Sequence, residues 1–116
     1  SRHVARTVLV AMKYDPSVRA GMNIRYSERL VEICKRLGLV VSSYDRREEP
    51  LEVKRVEGMT TSWGAEQAIK KIGMVPQVIY HTGDWGKEPM ITLLGKSSVD
   101  VAATAVKIAE ELGGER

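Results

Sequence analysis

The sequence has few of the residues that build disulfides, histidine-rich metal sites and membrane spans. It has one cysteine, Cys34, which excludes an internal disulfide framework, so we expect a small buried apolar residue there. Its two histidines, His3 and His81, are too few for a metal site built on several histidine and cysteine ligands. No apolar run reaches the roughly 20 residues that a membrane-spanning helix needs. We therefore expect a cytoplasmic protein without a membrane segment or a metal site of its own.

What the sequence does contain fits an ordinary globular domain. Its 116 residues are enough to bury a core, and 43% of them are hydrophobic while 28% are charged. The formal net charge of +3 is far from the basic excess of a nucleic-acid-binding domain, so we expect no direct contact with nucleic acid. The chain shows neither internal repeats nor an interdomain linker. We predict a single domain over residues 1–116.

Apolar residues alternate between helical and strand spacing along the chain. Val4, Val8, Ala11 and Met12 recur at helical spacing, and Pro16 stops this first helix, which we expect to be buried on most sides. The other predicted elements are strands at 20–26, 39–44, 76–81 and 90–95, helices at 28–37, 63–72 and 97–114, and a solvated loop with a short helix at 45–58. This order predicts an α/β layer architecture.

Serine and glycine residues mark the predicted helix ends. Ser27, Ser62 and Ser97 precede helical runs, and a serine at this position caps a helix by accepting a hydrogen bond from a free backbone N–H. Gly38 and Gly73 follow the last periodic residues, where glycine commonly ends a helix. The sequence therefore predicts three capped helices in addition to the first one.

A first polar cluster, Asn23–Ser27, lies at a predicted strand-to-helix transition. The free N–H groups at a helix start attract phosphate, and Arg25 offers a planar fork of donors suited to phosphate oxygens. If the segment is a strand, Asn23, Arg25 and Ser27 point the same way. An ordinary helix cap with a surface arginine explains the same pattern, and spacing alone does not decide between the two.

Two further polar clusters follow predicted strands. Asp45–Glu49 indicates either a salt-bridged surface loop or a site in which one arginine turns toward an anionic ligand. In Gly83–Pro89, glycines allow close backbone approach and Lys87 supplies a point charge, although a plain hairpin-like connection fits as well. Because α/β folds place ligands at such element ends, the three clusters together predict a site for an anionic ligand. They do not identify a reaction.

Four longer strings resemble one known family. They are HVARTVLVAMKYDPSVRAGMNIRYSE, YDRREEP, TTSWGAEQAI and GDWGKEPMITLLG, and their order and spacing are similar to those of the ThiN domain. ThiN is the archaeal and bacterial thiamine-phosphate synthase that is unrelated to the TIM-barrel enzyme of the same activity. The resemblance covers essentially the whole chain. It implies a three-layer α/β/α sandwich with a mixed sheet, similar to class II aldolase-like domains.

The resemblance also implies a reaction. Hydroxymethylpyrimidine diphosphate joins hydroxyethylthiazole phosphate, and thiamine phosphate forms while pyrophosphate leaves. The thiazole nitrogen already carries a lone pair, so the reaction needs no strong general base. Departure of pyrophosphate instead requires charge stabilisation by arginine, lysine and backbone N–H groups, with substrate-bound Mg²⁺ as the implied cofactor.

Individual positions match the family's motifs. His3 matches the catalytic histidine of a motif usually written Ser-Ser-His-Val-Ala-Arg, in which Arg2 here replaces the second serine. Further positions match the family's motifs, and we infer that they bind substrate: Asn23, Arg25, Ser27, Arg46, Arg47, Gly86, Lys87 and Glu88. The family domain is longer and has a functional arginine upstream of the histidine. The chain is therefore expected to be the C-terminal portion of such a domain, truncated at its N-terminus.

The resemblance leaves two functions open. ThiN-like domains also serve as effector-binding parts of archaeal thiamine-responsive transcription regulators, so the alternative is a non-catalytic domain that binds thiamine phosphate. The presence of His3 favours the enzyme, because regulator versions tend to lose catalytic residues. The expected partners are phosphorylated small molecules and a fused upstream kinase or DNA-binding domain, and a homodimer is allowed.

Overall fold

The structure is a computed structural model that describes residues 2–56 and 58–115. Its helices are α1 (Arg2–Tyr14), α2 (Glu28–Arg36), α3 (Leu51–Lys54), α4 (Met59–Ile72) and α5 (Ser98–Gly113), with a 3-10 turn at Arg46–Glu48. Its strands are β1 (Ala20–Arg25), β2 (Val41–Ser43), β3 (Val78–His81) and β4 (Met90–Gly95). All four predicted strands and all four predicted long helices occur, with shifts at their ends.

The four strands form one mixed sheet in the order β1-β4-β3-β2. Strand β4 is antiparallel to both of its neighbours, whereas β2 and β3 are parallel and are connected through α3 and α4. The register pairs Asn23 with Thr92 and Thr92 with Ile79, so these three residues lie side by side on the same face of the sheet. The predicted mixed α/β architecture is confirmed. The carboxyl ends of β1, β2 and β3 all lie at one edge.

Helices cover both faces of the sheet, and each face has its own apolar core. Helices α1 and α4 pack on one face, where the buried apolar residues are Val10, Ala11, Val18, Ala65, Ala68, Ile69, Ile79 and Leu94. Helices α2 and α5 pack on the other face, where they are Val31, Ile33, Cys34, Val78, Ile91, Leu93, Val101 and Ile108. Cys34 is buried as expected, and burial raises the pKa of its thiol.

The first helix is less buried than its apolar content suggested. Thr7, Val10 and Ala11 are its buried residues, and they lie on the side that contacts β1 and α4. Leu9 remains 62% exposed, so the prediction that α1 is buried on most sides was wrong. The helix lies on the surface of the sheet, and only one of its sides has a packing partner.

Two of the three predicted serine caps are present. Ser27 accepts a hydrogen bond from the N–H of Leu30 at 3.0 Å, and Ser97 accepts one from the N–H of Asp100 at 3.1 Å. The third prediction was wrong, because α4 begins at Met59 and includes Ser62. The backbone before α4 turns through a left-handed glycine with φ of 83°, which starts the helix earlier than the serine signal indicated.

A helix that crosses a bilayer has to be both long and apolar. Within residues 2–56 and 58–115, no helix combines these two properties.

Candidate functional site

A cavity of about 360 Å³ lies on the α1/α4 face, at the edge where β1 and β3 end and β4 begins. Its cationic and histidine side chains are His3, Arg46, Lys54, His81 and Lys87. Its uncharged polar side chains are Thr7, Asn23, Tyr44, Thr60, Thr61 and Thr92, and its carboxylate is that of Glu88. This is the edge at which α/β sheets usually bind ligands, because the loops that follow the strands meet there.

All three polar clusters of the sequence contribute to this cavity. Asn23 comes from β1, Arg46 from the 3-10 turn, and Lys87 and Glu88 from the loop between β3 and β4. His3 reaches the cavity from the first turn of α1. Residues that are far apart in the chain thus surround one space. The topology of the sheet, rather than any local pattern, brings them together.

Four other predicted site residues lie outside this lining. Arg25 is exposed at the end of β1, in an adjoining groove that also contains Glu88. Ser27 caps α2, and Arg47 pairs with Asp45 through N–O distances of 3.0 and 2.8 Å. Gly86 forms a turn with φ of 69°. Their roles in substrate binding stay predictions, as do those of the residues that line the cavity.

The loop between β3 and β4 forms part of the cavity mouth. It closes on itself through the N–H of Lys87, which donates to the carbonyl of Asp84 at 2.8 Å. The carboxylate of Asp84 lies 3.7 Å from the ammonium of Lys54, which connects this loop to α3. Two elements from different parts of the chain are therefore held at the same rim, with both of their lysines lining the cavity.

The charges around the cavity favour an anionic ligand. Arg46, Lys54 and Lys87 carry three positive charges there, against the single carboxylate of Glu88 among the described lining residues. A concave surface lined mostly by one sign of charge concentrates ligands of the opposite sign. The cavity thus combines the cations and neutral donors that a phosphorylated molecule requires.

Tyr44 and His81 supply neutral donors that the sequence did not single out. Burial is the main cause that raises the pKa of Tyr44 to about 12, while Arg46 acts against it and Glu49 adds to it. Burial, followed by the charge of Arg46, lowers the pKa of His81 to about 4. Both side chains are therefore uncharged at neutral pH. The sequence showed His81 only as a lone histidine at a strand end, a position that is usually unremarkable.

Close packing holds the two rings in place. The centroids of Tyr44 and His81 are 5.2 Å apart, and Trp63 meets Tyr44 edge-on at 6.1 Å. A Cβ atom at Gly64 would lie 2.3 Å from the Tyr44 ring, so only glycine allows the ring to approach α4 this closely. The rings of Tyr44 and His81 thus form a closely packed wall of the cavity.

The described residues do not form a site for a metal ion held by the protein alone. No group of three or more His, Cys, Asp or Glu side chains suited to a metal occurs in residues 2–56 and 58–115. Mg²⁺, however, is commonly bound by one or two carboxylates together with substrate phosphates and waters. Glu88 is the carboxylate among the described lining residues that is available to such an ion.

The comparisons with known proteins point to one family. The family model for "Thiamine-phosphate synthase ThiN" matches residues 1–107. A thiamine-phosphate synthase ThiN from Methanothermobacter thermautotrophicus is 46% identical over 108 residues, which are 93% of this chain and 57% of that protein. The bifunctional thiamine biosynthesis protein ThiDN from Methanocaldococcus jannaschii is 44% identical over 101 residues, which are 87% of this chain and 23% of that protein.

Solved structures show the same fold. The crystal structure of the C-terminal domain of a phosphomethylpyrimidine kinase has a TM-score of 0.83 at 46% identity and covers 91% of this chain and 60% of its own. Another crystallised C-terminal domain has a TM-score of 0.88 at 39% identity and covers 100% of this chain and 61% of its own. The chain thus spans little more than half the length of several proteins that it matches. It belongs to the ThiN family.

Proposed function

We propose that this ThiN-family chain forms the substrate cavity of a thiamine-phosphate synthase. The substrates are hydroxymethylpyrimidine diphosphate and hydroxyethylthiazole phosphate, and the products are thiamine phosphate and pyrophosphate. The main support for the proposal is that Arg46, Lys54 and Lys87 line the same cavity, which His3 also lines. Two phosphorylated substrates need several cations, and separate elements of the fold supply them here.

The reaction requires an electrophilic carbon, a nitrogen nucleophile and a stabilised leaving group. The thiazole nitrogen donates its lone pair to the methylene carbon of the pyrimidine, and the bond from this carbon to the diphosphate oxygen breaks. The electron pair of that bond leaves with pyrophosphate. Arg46, Lys54 and Lys87 stabilise the negative charge that develops on the leaving group, and fixed positive charges of this kind are most effective in a partly enclosed site.

His3 is the proposed catalytic residue. Its side chain is exposed at the first turn of α1 and lines the cavity, so a bound substrate can contact it directly. The carbonyl of His3 accepts a hydrogen bond from Thr7 at 3.1 Å, which fixes the turn that carries it. The proposal places His3 opposite the cations of the rim, with the reacting atoms between them.

The roles proposed for the other predicted site residues depend on where those residues lie. We propose that Asn23 and Glu88 bind the substrates inside the cavity. Arg25, which lies beside Glu88 in the adjoining groove, would bind the phosphoryl oxygens nearest that groove. Ser27, Arg47 and Gly86 lie outside the cavity lining, so we propose that they contribute to substrate binding only weakly. Glu88 would hold a Mg²⁺ ion bound to the diphosphate, and such an ion would supply neutralisation of charge on the leaving group.

Several finer expectations belong to the same proposal. They are the class II aldolase-like classification of the fold, a cytoplasmic location, a homodimer and the absence of direct nucleic-acid contact. A fused kinase upstream is supported by the relative named as bifunctional. The names of both curated relatives support the synthase rather than the effector domain of a regulator.

The gene product that carries this chain provides the direct test. Incubation with both substrates and Mg²⁺ should give thiamine phosphate and pyrophosphate, detected by chromatography. Replacement of His3 by Ala should remove the activity while leaving the melting temperature unchanged. Absence of product from the unmodified gene product contradicts the proposal. Stabilisation by thiamine phosphate without turnover would instead support the effector domain.

A further inference from the structure

His81 is the last residue of β3, and one of its two ring nitrogens already accepts a hydrogen bond from the backbone. The backbone N–H of Gly83 donates a hydrogen bond to Nδ1 of His81 at 3.1 Å. A ring nitrogen that accepts a hydrogen bond carries no proton, so the neutral imidazole holds its proton on Nε2. The turn after β3 therefore selects one tautomer, and this tautomer presents an N–H donor at Nε2.

The surroundings of the ring keep this tautomer neutral. The His81 side chain is only 8% exposed, and the ring of Tyr44 packs against it. Protonation would require Nδ1 to gain a proton, which would end its hydrogen bond with Gly83 and place a second positive charge near Arg46. At neutral pH the ring can thus donate through Nε2, but it does not accept a second proton.

The Nε2–H group has no hydrogen-bond partner in the described part of the chain, yet it is not sealed from solvent. If Nε2 were fully buried, it would be a buried polar atom without a hydrogen-bond partner. Among residues 2–56 and 58–115, the one atom of that kind is Oε2 of Glu49. Nε2 of His81 is therefore accessible, and the accessible space beside this residue is the cavity. A free N–H at the wall of a cationic cavity is suited to an anionic oxygen.

We propose that His81 is a substrate-binding residue that donates a hydrogen bond from Nε2–H to a phosphoryl oxygen and transfers no proton. This inference rests on the proposed function, which supplies the phosphorylated ligand. Arg46 and Lys87 attract the anion through charge, whereas the fixed ring of His81 gives one defined direction in which a phosphoryl oxygen can be bound. His81 thus differs in role from His3, the exposed histidine of the same cavity.

Nitrogen NMR tests the tautomer without any change to the site. The chain has two histidines, so long-range ¹H–¹⁵N spectra of tag-free protein contain two imidazole patterns, which the variant His3→Gln assigns. The other titratable side chains at the cavity are those of His3, Tyr44, Arg46, Lys54, Lys87 and Glu88. Because they can titrate too, the readout is the His81 ring itself rather than an activity profile.

We expect the Nε2–H tautomer of His81 to persist from about pH 8 to about pH 5, where an ordinary histidine becomes charged. Addition of pyrophosphate at neutral pH should shift the Nε2 and Nε2–H signals of His81. An Nδ1–H tautomer, or a ring that protonates near its ordinary pKa of 6.5, would overturn the inference. So would a ring whose signals do not move while pyrophosphate binds.

Two variants separate the roles of the two nitrogens. The amide of His81→Asn can accept from the N–H of Gly83 but cannot reach the place of Nε2, whereas His81→Gln puts an N–H donor near that place. We expect the Kd for pyrophosphate to rise on the order of tenfold in His81→Asn and less in His81→Gln. Circular dichroism and melting temperature check that both variants fold.

The possible failures are distinguishable. If the unmodified protein binds pyrophosphate and His81→Asn binds it equally well, the role of His81 is refuted while the proposed function stands. If the unmodified protein binds neither pyrophosphate nor the substrates, the proposed function fails, and the contact with His81 fails with it.

Discussion

The two faces of the sheet are built from the same strands, but one is a buried apolar core and the other lines the candidate cavity. Toward α2 and α5, β3 and β4 present Val78, Ile91 and Leu93, whose side chains are fully buried. Toward α1 and α4, the same two strands present His81 and Thr92 at the cavity. Since neighbouring residues of a strand point to opposite faces, one strand can contribute to the core and to a ligand site at once. Stability and ligand binding should therefore respond to different substitutions.

The largest expected effect is on the apolar face. We expect Leu93→Ala to lower the free energy of unfolding by about 2–5 kcal/mol, because it leaves a cavity in a closely packed core. Thr92→Val is the matched variant one residue away and should cost about 1 kcal/mol, since it removes the hydrogen bond that Thr92 donates to Asn23. Urea denaturation measures both. Equal losses would contradict the division between the two faces.

The next effect is on ligand affinity at the polar face. Arg46→Ala and Lys87→Ala should each weaken pyrophosphate binding by about 1–3 kcal/mol, the scale of a lost charged hydrogen bond. Arg25→Ala should have an effect of the same kind if the adjoining groove holds part of the ligand. Calorimetric titration gives the affinities, and urea denaturation should show stability within about 0.5 kcal/mol of the unmodified protein. Undiminished affinity in all three variants would mean that these cations are ordinary surface features.

A further effect should appear only at acidic pH, in the pH dependence of stability. The unfolded chain protonates His81 below about pH 6.5, whereas the folded chain does so only near pH 4, so acid favours the unfolded state between these values. We expect His81 to account for a loss of up to about 3 kcal/mol across this window, because each pKa unit corresponds to about 1.4 kcal/mol. His81→Asn should lack this contribution, and the difference between the two stability curves isolates it from the carboxylates. Parallel curves would show that His81 titrates normally.

The smallest expected effect distinguishes two adjacent arginines. Arg47 is exposed and its guanidinium pairs with Asp45, so Arg47→Ala should change pyrophosphate affinity by less than about 0.5 kcal/mol. Its neighbour Arg46 lines the cavity and should matter more. If Arg47→Ala weakened binding as much as Arg46→Ala, the Arg47 side chain would have to leave Asp45 and contact the ligand, contrary to the structure.

Local patterns were sufficient to predict the strands, most helices and the three polar clusters that contribute residues to the candidate cavity. The periodicity of apolar residues is set by the geometry of each element, and Ser27 and Ser97 cap helices through contacts a few residues away. The start of α4 was missed because a left-handed glycine, not Ser62, makes the turn. The exposure of α1 was missed because it depends on what packs against the helix.

The chemistry of individual site residues was harder to predict. The sequence could not tell Arg46 from Arg47, because the hydrogen bonds between Asp45 and Arg47 decide which side chain remains near the cavity. The neutral state of His81 depends on its burial and on the N–H of Gly83. Such properties arise from tertiary packing and therefore cannot be predicted from the spacing of residues in the sequence.

The proposed function depends on one cationic cavity at one edge of the sheet, and a single titration can test whether anions bind there. Pyrophosphate is titrated calorimetrically into three forms of the protein: unmodified, Arg46→Ala with Lys87→Ala, and Lys96→Ala with Lys107→Ala. The last pair removes two positive charges from a groove at the other end of β4. We predict binding at one site that the first double variant abolishes and the second leaves intact. Equal losses in both double variants, or full binding by the first, would contradict it.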